Sequence, residues 1–290
     1  MENKPNLDRR NFLKTALGLG GAAAVAGAIV QGGSVREAYG QLLKSGIRED
    51  SVLAKMKKTG KLKVGYSQTK PNFYLDAKTN KLRGIFYDVT EFLGKETEVE
   101  IEYQEVLWAN ATVGLRKGDF DVFVSSLTYT LPRALVINYV GPLHHKGFVA
   151  VAHRDNKNRF RTADDFNHSN VIFSVNVGSA SENIIKERFP KAKIIHVSGQ
   201  IVLAAEPVRT KQAHLYVMGD LDAEVFAGSN EWAYAVDPEH PYRLLPNTWA
   251  IRYDDPEWKF FIDMFADRML STGFMKQRFD FYKKELIKGT

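Results

Sequence analysis

The stretch DFDVFVSSLTYTLPRALVINYVGPL, residues 119–143, decides the fold class. Its beginning, DFDVFVSS, is a nearly continuous apolar run, which is typical of a strand buried on both faces of a sheet. The predicted strand ends near Thr130, a residue that can cap a helix, and Pro132 fits the first turn of that helix. Arg133 therefore stands where a strand passes into a helix. Such an arginine is either a solvated charge at a turn or a group that binds an anion in a cleft.

The segments on both sides of this stretch alternate between strand and helix. Before it, KLKVGYS and VEIEYQEV are predicted strands, and GIFYDVTEFLGKET between them is a predicted helix with Asp88 as its N-cap. After it, FVAVAH is a second buried strand, and VIFSVNVGSASENIIKERF, AKIIHV and AHLYVMGD continue the pattern. WAIRYD and two helices close the sequence. The alternation predicts an α/β fold of two units, with a ligand cleft at the carboxyl ends of strands.

The composition limits the classes of function. The chain has 290 residues, enough for two modest domains. Its net charge is +6, and its 40 basic residues are interleaved with 34 acidic ones. The basic residues form no stripe, so no nucleic-acid partner is expected. The absence of cysteine excludes disulfides, thiolate zinc sites and a cysteine nucleophile. His144 and His145 would point to opposite faces of a strand, so no metal site is expected. No nucleotide-binding motif is present, so no cofactor is expected. The G-x-S-x-G motif of a serine nucleophile is absent as well.

The first forty residues resemble an export signal. DRRNFLK, residues 8–14, is followed by an uncharged run rich in Gly and Ala. Paired arginines before Phe-Leu-Lys resemble the twin-arginine signal. The alternative is a membrane anchor, but the run has few Leu, Ile or Phe residues to hold it in lipid. We therefore expect residues 1–40 to be a signal peptide, cleaved after Ala28 or, preferably, after Gly40, and the mature protein to be periplasmic.

The predicted strands also suggest domain boundaries. The expected parts of the mature chain are a helical lead-in at 41–59, lobe 1 at 60–147 plus 249–290, and lobe 2 at 148–248. Extended segments at residues 147–152 and 247–251 connect the lobes and are the expected hinges. Closure about these hinges would bring residues of both lobes onto one ligand.

Two features at strand ends, one in each lobe, indicate an anion site. In lobe 1, Arg133 offers a planar fork of donors that matches a carboxylate, and Thr128 adds a hydroxyl group. In lobe 2, VNVGSASE ends a strand and opens a helix. There Gly178 allows close approach of the backbone, and Ser179 and Glu182 have the spacing of a capping box. Together these features predict one carboxylate held between the lobes.

Aromatic residues provide candidates for the wall of the site. Trp108 follows a polar strand end and precedes a helix. It is either a core residue or a surface on which the body of a ligand stacks. Phe73 and Tyr74 are further candidates for such a wall.

Several motifs, in their order and spacing, resemble the polar amino-acid-binding family of extracytoplasmic solute-binding proteins of ABC transporters. The motifs are KLKVGYS, G-I-F-Y-D at 84–88, W-x-x-x-x-x-x-L-x-x-G-D-x-D at 108–121, S-x-T-x-T-x-x-R at 126–133 and G-S-x-S-E at 178–182. The resemblance implies the type II periplasmic-binding-protein fold, in which each of two lobes is a mixed sheet flanked by helices. It also implies a monomer that delivers its ligand to an ABC permease in the inner membrane.

The resemblance implies ligand-binding roles as well. Arg133 would bind the ligand α-carboxylate, with help from the strand positions Ser126 and Thr128. The side chain of Trp108 would stack on the ligand. Donors from lobe 2 would come from the turn formed by Gly178, Ser179 and Ala180.

One motif departs from the family pattern. An acidic D-A-x-x-x-D motif usually pairs with the ligand ammonium, but here Gly219 stands where the second Asp belongs. Asp220 would serve if the strand shifts by one residue, and Asp222 is another candidate. The expected ligand is therefore an amino acid, or a related carboxylate without an α-amino group.

Two alternative functions remain beside this binding function, which needs no catalytic residue. Residues 210–285 also resemble cyclohexadienyl dehydratases, periplasmic enzymes in which an acid at the position comparable to Asp222 transfers a proton. The other alternative is an accessory periplasmic subunit that docks on a dehydrogenase. The intact motif around Arg133 argues against that second alternative.

Overall fold

The computed structural model describes residues 46–287 and Glu37. Apart from Glu37, the signal peptide predicted at residues 1–40 and the start of the lead-in predicted at 41–59 lie outside the described residues. Within the described residues, no helix has both the length and the apolar character that spanning a membrane requires.

The described part of the chain alternates between strands and helices, as the sequence predicts. The strands are β1 (Lys61–Tyr66), β2 (Tyr74–Leu75), β3 (Leu82–Arg83), β4 (Glu100–Glu105), β5 (Val122–Thr128), β6 (Asn138–His153), β7 (Ile172–Asn176), β8 (Lys193–Val197), β9 (Leu215–Gly219), β10 (Ala233–Val236) and β11 (Arg243–Ile251). The α-helices are α1 (Val52–Thr59), α2 (Ile85–Thr97), α3 (Ala111–Lys117), α4 (Leu131–Ala134), α5 (Ser181–Arg188), α6 (Glu206–Arg209), α7 (Asp220–Ser229), α8 (Pro256–Ser271) and α9 (Phe274–Ile287).

One mixed sheet connects nine of these strands. Its order is β4-β1-β5-β11-β6-β9-β7-β8, and β10 pairs with β6. Strand β1 runs parallel to β4 and β5, and β7 runs parallel to β8 and β9. Parallel neighbours need long crossovers, which explains the helices between them. The long strands β6 and β11 pair antiparallel with each other and join the two parallel groups.

The apolar residues pack in two parts of the fold. Trp249 and Trp258 are fully buried in a cluster built from residues 52–143 and 249–282. Phe173 and Leu215 are fully buried in a cluster at residues 148–236, and a second cluster lies within the same range. Because apolar burial is the main favourable term in folding, each lobe has a core of its own. On this separation we propose the lobe boundaries that the sequence indicates.

The start of helix α2 differs from the prediction. The helix begins after Gly84, whose φ of 137° favours glycine and whose Cβ would lie 2.2 Å from the Asn72 carbonyl oxygen. Asp88 therefore lies within the first turn and is not the N-cap. Its carboxylate accepts instead from the Tyr282 hydroxyl at 3.2 Å and pairs with Arg278.

The two helix starts beside the cleft also give different results. At α4 the Thr130 hydroxyl accepts from the Arg133 N–H at 3.4 Å, which confirms the predicted cap. Helix α5 begins after Ala180 and has no capping side chain, so the predicted capping box of Ser179 and Glu182 is wrong. The Glu182 carboxylate instead pairs with side chains on its own helix and on β8.

Candidate functional site

A cleft opens between the lobes where strands β5 and β9 end. Lobe 1 lines it with Thr69, Trp108, Ser125, Ser126, Thr128, Arg133 and Lys146. Lobe 2 lines it with Phe148, Asn176, Ser179, Ala180, Ser181, Tyr216, Val217, Met218, Gly219 and Asp222. The structure thus brings together most of the residues that the sequence indicates for ligand binding. Phe73, Gly178 and Asp220 are the exceptions, although the Gly178 carbonyl contacts the lining residues Trp108 and Arg133.

Arg133 lies at the junction of the lobes. Its Nη1 donates to the Thr128 carbonyl at 3.4 Å, and its Nη2 contacts the Gly178 carbonyl. The guanidinium carbon lies 5.4 Å from the centre of the Trp108 ring. Burial lowers the pKa of Arg133 from its ordinary value, because the cation is partly removed from water. No ion pair within residues 46–287 includes Arg133, so an anionic ligand would supply the missing countercharge.

The Gly178 carbonyl joins lobe 2 to lobe 1. It accepts from Trp108 Nε1 at 3.3 Å as well as from Arg133. The Trp108 ring also packs edge-on against Phe123, with 5.9 Å between ring centres. Gly178 therefore presents an acceptor to donors of the protein, whereas the sequence predicts that this turn supplies donors to a ligand. The stacking of a ligand on Trp108 stays a prediction.

Ser179 and Ala180 line the cleft next to this carbonyl. The Ser179 N–H donates to the Asn176 carbonyl at 3.1 Å. The Ser179 hydroxyl is buried and has no hydrogen-bond partner among the described residues. A buried hydroxyl without a partner costs about 1–3 kcal/mol, and a polar ligand group can remove that cost.

Lys146 is a cleft residue that the sequence reasoning missed. Its ammonium lies 2.6 Å from Asp222 Oδ2 and 3.0 Å from Ser126 Oγ. The two charged side chains are only 12% and 7% exposed. Asp222 Oδ1 accepts from Asn72 Nδ2 at 3.0 Å, so both carboxylate oxygens have partners. Lys146 stands two residues before the buried Phe148 on β6, and this same-face spacing is the signal that identifies it.

Gly219 gives the Lys146 side chain its space. A Cβ at position 219 would lie 1.9 Å from Lys146 Cε and 2.9 Å from Asp222 Oδ2. Any larger residue would therefore displace the lysine. A glycine thus stands where the motif has an acidic residue, and the Lys146 side chain lies in the space beside it.

Asp220 and Phe73 lie outside the cleft. Asp220 begins helix α7, where its Oδ2 accepts from the Gly147 N–H at 3.2 Å and its Oδ1 accepts from the Leu221 N–H. Burial raises the pKa of Asp220 above its ordinary value. Asp222, two residues further along helix α7, is the acidic residue that faces the cleft.

The prediction that Phe73 forms a wall of the site is contradicted by its burial. Phe73 is fully buried in the core of lobe 1 and stacks on Tyr66 at 4.8 Å between ring centres. Tyr74 packs edge-on against Tyr282 at 6.4 Å. Both aromatic rings thus contribute to the core of lobe 1.

The adjacent histidines do not form a metal site within the described residues. Burial lowers the pKa of His144 to about 3, which keeps the ring neutral near pH 7. His144 packs against Phe279 at 4.6 Å between ring centres. No group of three or more His, Cys, Asp or Glu side chains in the described part of the chain is arranged to hold a metal ion.

Residues 62–285 match the model of the bacterial extracellular solute-binding proteins, family 3. The chain belongs to this family. Residues 6–26 match the signal sequence of the twin-arginine translocation pathway, which confirms the predicted signal and a location outside the cytoplasmic membrane, in the periplasm. This family 3 protein therefore presents its cleft to solutes of that compartment.

Individual relatives give the range of similarity. The L-cystine-binding protein TcyJ of Escherichia coli strain K12 is 25% identical over 139 residues, which are 48% of this chain and 52% of the relative. The chain thus spans about half the length of the curated relatives it matches.

Solved structures confirm the predicted fold class. The crystal structure of the ancestral amino acid-binding protein AncCDT-1, named as a precursor of cyclohexadienyl dehydratase, matches with a TM-score of 0.70 and 26% identity, over 82% of this chain and all of the other. An amino acid ABC transporter substrate-binding protein from Streptococcus pneumoniae Canada MDR_19A, bound to L-arginine, has a TM-score of 0.72 at 18% identity, over 81% of this chain and 98% of the other. The second likeness concerns the fold alone.

Proposed function

We propose that this protein is the periplasmic substrate-binding component of an ABC importer and binds an amino acid or a related small carboxylate by closure of its two lobes. The observation that carries the proposal is Arg133, a partly buried cation in the cleft that forms no ion pair among the described residues. Membership of family 3 supports it, as do one relative named for binding L-cystine and one similar structure named an amino acid-binding protein. The proposed partner is an ABC permease of the inner membrane, to which this protein delivers its ligand as a monomer.

Contacts across the cleft support binding by closure. Arg133 and Trp108 of lobe 1 both bond to Gly178 of lobe 2. Lys146 of lobe 1 pairs with Asp222 of lobe 2. Strands β6 and β11 connect the lobes, and the proposed hinges at residues 147–152 and 247–251 lie within them. A rotation at these hinges would separate the side-chain contacts and leave each apolar core intact.

A dehydratase-like enzyme is the second candidate, because one similar structure is named as a precursor of cyclohexadienyl dehydratase. That neighbour is itself named an amino acid-binding protein. Asp222 would be the acid in this alternative, but its two oxygens accept from Lys146 and Asn72. A general acid must direct a proton towards the substrate. The arrangement therefore favours binding without turnover.

Thermal-shift measurements on Arg133→Ala test the proposal. The panel contains amino acids, their des-amino carboxylate counterparts, prephenate and arogenate. A ligand at 100 times its Kd stabilises the protein by about 2.7 kcal/mol, and we expect at least one small carboxylate to do so. The shift should decrease strongly in Arg133→Ala and persist in Arg159→Ala, whose guanidinium also bonds to a backbone carbonyl and lies over an aromatic ring, but outside the cleft.

Each other result would exclude a part of the proposal. If Arg133→Ala binds as tightly as the parent, Arg133 is not the anchor. Turnover of prephenate or arogenate would place the protein among the enzymes. A folded parent that responds to no member of the panel would contradict ligand binding and favour the accessory subunit.

A further inference from the structure

The cleft already contains an ammonium group of the protein itself. The charged side chains among its lining residues are Arg133, Lys146 and Asp222. Asp222 pairs with Lys146 and accepts from Asn72, so the acidic residue of the cleft has its partners within the chain. An incoming α-ammonium would find no free carboxylate there. It would also lie close to the Lys146 ammonium, and two like charges at such a place repel each other.

The Lys146 ammonium is held in this place by its surroundings. Gly219 leaves its side chain the volume that any Cβ would fill. Ser126 Oγ, itself contacted by Asn247 Nδ2 at 2.9 Å, accepts from Lys146 at 3.0 Å. An ammonium has three N–H donors, and the contacts with Asp222 and Ser126 use two of them. The third donor is available to a ligand in the cleft.

The two cations of the cleft both bond to strand β5. Arg133 donates to the Thr128 carbonyl, and Lys146 donates to the Ser126 hydroxyl. Thr128 and Ser126 are two residues apart on β5, so these anchoring points are about 7 Å apart along the strand. Both cations therefore line one cleft beside nearby positions of β5, where a single small ligand can meet both. The cleft has two cationic side chains and one anionic side chain, so one positive charge is left uncompensated.

We propose that the ligand is a small carboxylate with an oxygen acceptor in place of the α-ammonium, that is, a 2-oxo or 2-hydroxy acid. The carboxylate bonds to Arg133, and the 2-oxygen accepts from Lys146. Such a ligand is a monoanion, which matches the single uncompensated charge, whereas a zwitterionic α-amino acid carries no net charge. This inference rests on the proposed binding function and narrows its ligand class.

Matched ligand pairs test the inference. Isothermal titration calorimetry of the mature protein should compare phenylalanine with phenylpyruvate and phenyllactate, and leucine with 2-oxoisocaproate. We expect at least one oxo or hydroxy acid to bind at least about tenfold more tightly than its amino-acid counterpart. Tighter binding of the amino acid in the responsive pair would overturn the inference and leave the binding function standing. Failure of every carboxylate to bind would overturn both.

Variants at Lys146 show whether this residue sets the preference. Lys146→Ala leaves the Asp222 carboxylate for a ligand ammonium, so the preference should reverse towards the amino acid. The double variant Lys146→Ala with Asp222→Asn removes both charges. It should lose the preference without gaining amino-acid affinity, and it keeps the test valid if the single variant fails to fold. Lys283→Ala, which removes an exposed pair with Glu224, is the matched control and should bind like the parent. An unchanged preference in both cleft variants would contradict the role of Lys146.

Discussion

Gly219→Ala is expected to destabilise the protein through Lys146. The backbone of Gly219 has φ −68° and ψ 153°, which alanine adopts without strain. The cost must therefore come from the new Cβ, which would lie 1.9 Å from Lys146 Cε. The lysine has to leave its position, and the largely buried Asp222 then loses its ion pair.

The magnitude follows from the loss of this buried pair. Breaking such a pair typically costs 3–5 kcal/mol. We expect about 3 kcal/mol, at the lower end of that range, because the displaced ammonium can reach water and Asp222 keeps its contact with Asn72. For a chain of this size the melting temperature should decrease by about 6–12 °C. Urea and thermal unfolding monitored by circular dichroism measure both quantities.

A double-mutant cycle provides the control. In the Lys146→Ala background the Cβ at position 219 meets no lysine, and Asp222 Oδ2, at 2.9 Å, can shift because it no longer forms the ion pair. A Gly-to-Ala change at a compatible backbone stabilises by about 0.4–1 kcal/mol. We expect Gly219→Ala to cost less than about 0.5 kcal/mol there, with a coupling energy above about 2 kcal/mol. The reasoning is refuted if Gly219→Ala lowers the free energy of unfolding equally in both backgrounds. It is also refuted if the substitution leaves the free energy of unfolding of the otherwise unmodified protein unchanged.

Three further predictions concern other parts of the molecule. Arg133→Ala should weaken carboxylate binding by about 1.5–3 kcal/mol, measured by calorimetry. It should not reduce the stability of the free protein, because it removes a partly desolvated cation without a countercharge. A destabilised free variant would contradict this expectation. Thr130→Ala should cost about 1 kcal/mol in urea unfolding because it removes the cap of α4, whereas Thr130→Asn, a good cap, should cost less. His144 is neutral in the fold but binds a proton when unfolded, so stability should fall by up to about 1.4 kcal/mol per pH unit as the pH decreases from about 6.5 towards about 3. His144→Leu should flatten that part of the pH profile and the exposed His168→Leu should not; equal profiles for both variants would refute the assignment.

The local patterns of the sequence determined the type of most elements. DFDVFVSS predicts a buried strand, and β5 at Val122–Thr128 is buried along most of its length. Thr130 and Arg133 are three residues apart, so the cap and the position of the guanidinium follow from one short segment. The export signal is likewise a local motif. Such features depend on residues that are neighbours in the chain, so alternation, capping residues and motif spacing predict them.

The charge arrangement of the cleft was decided by the tertiary structure. Lys146 and Asp222 are 76 residues apart in the chain and meet only because β6 pairs with β9, at whose end Asp222 follows. Gly219 is needed at that place because Lys146 crosses it. The burial of Phe73 likewise results from packing in the core of lobe 1. Local periodicity shows that a residue belongs to a strand or a helix. Which distant side chains share its volume is determined by how those elements pack, and that packing placed an ammonium of the protein inside the site.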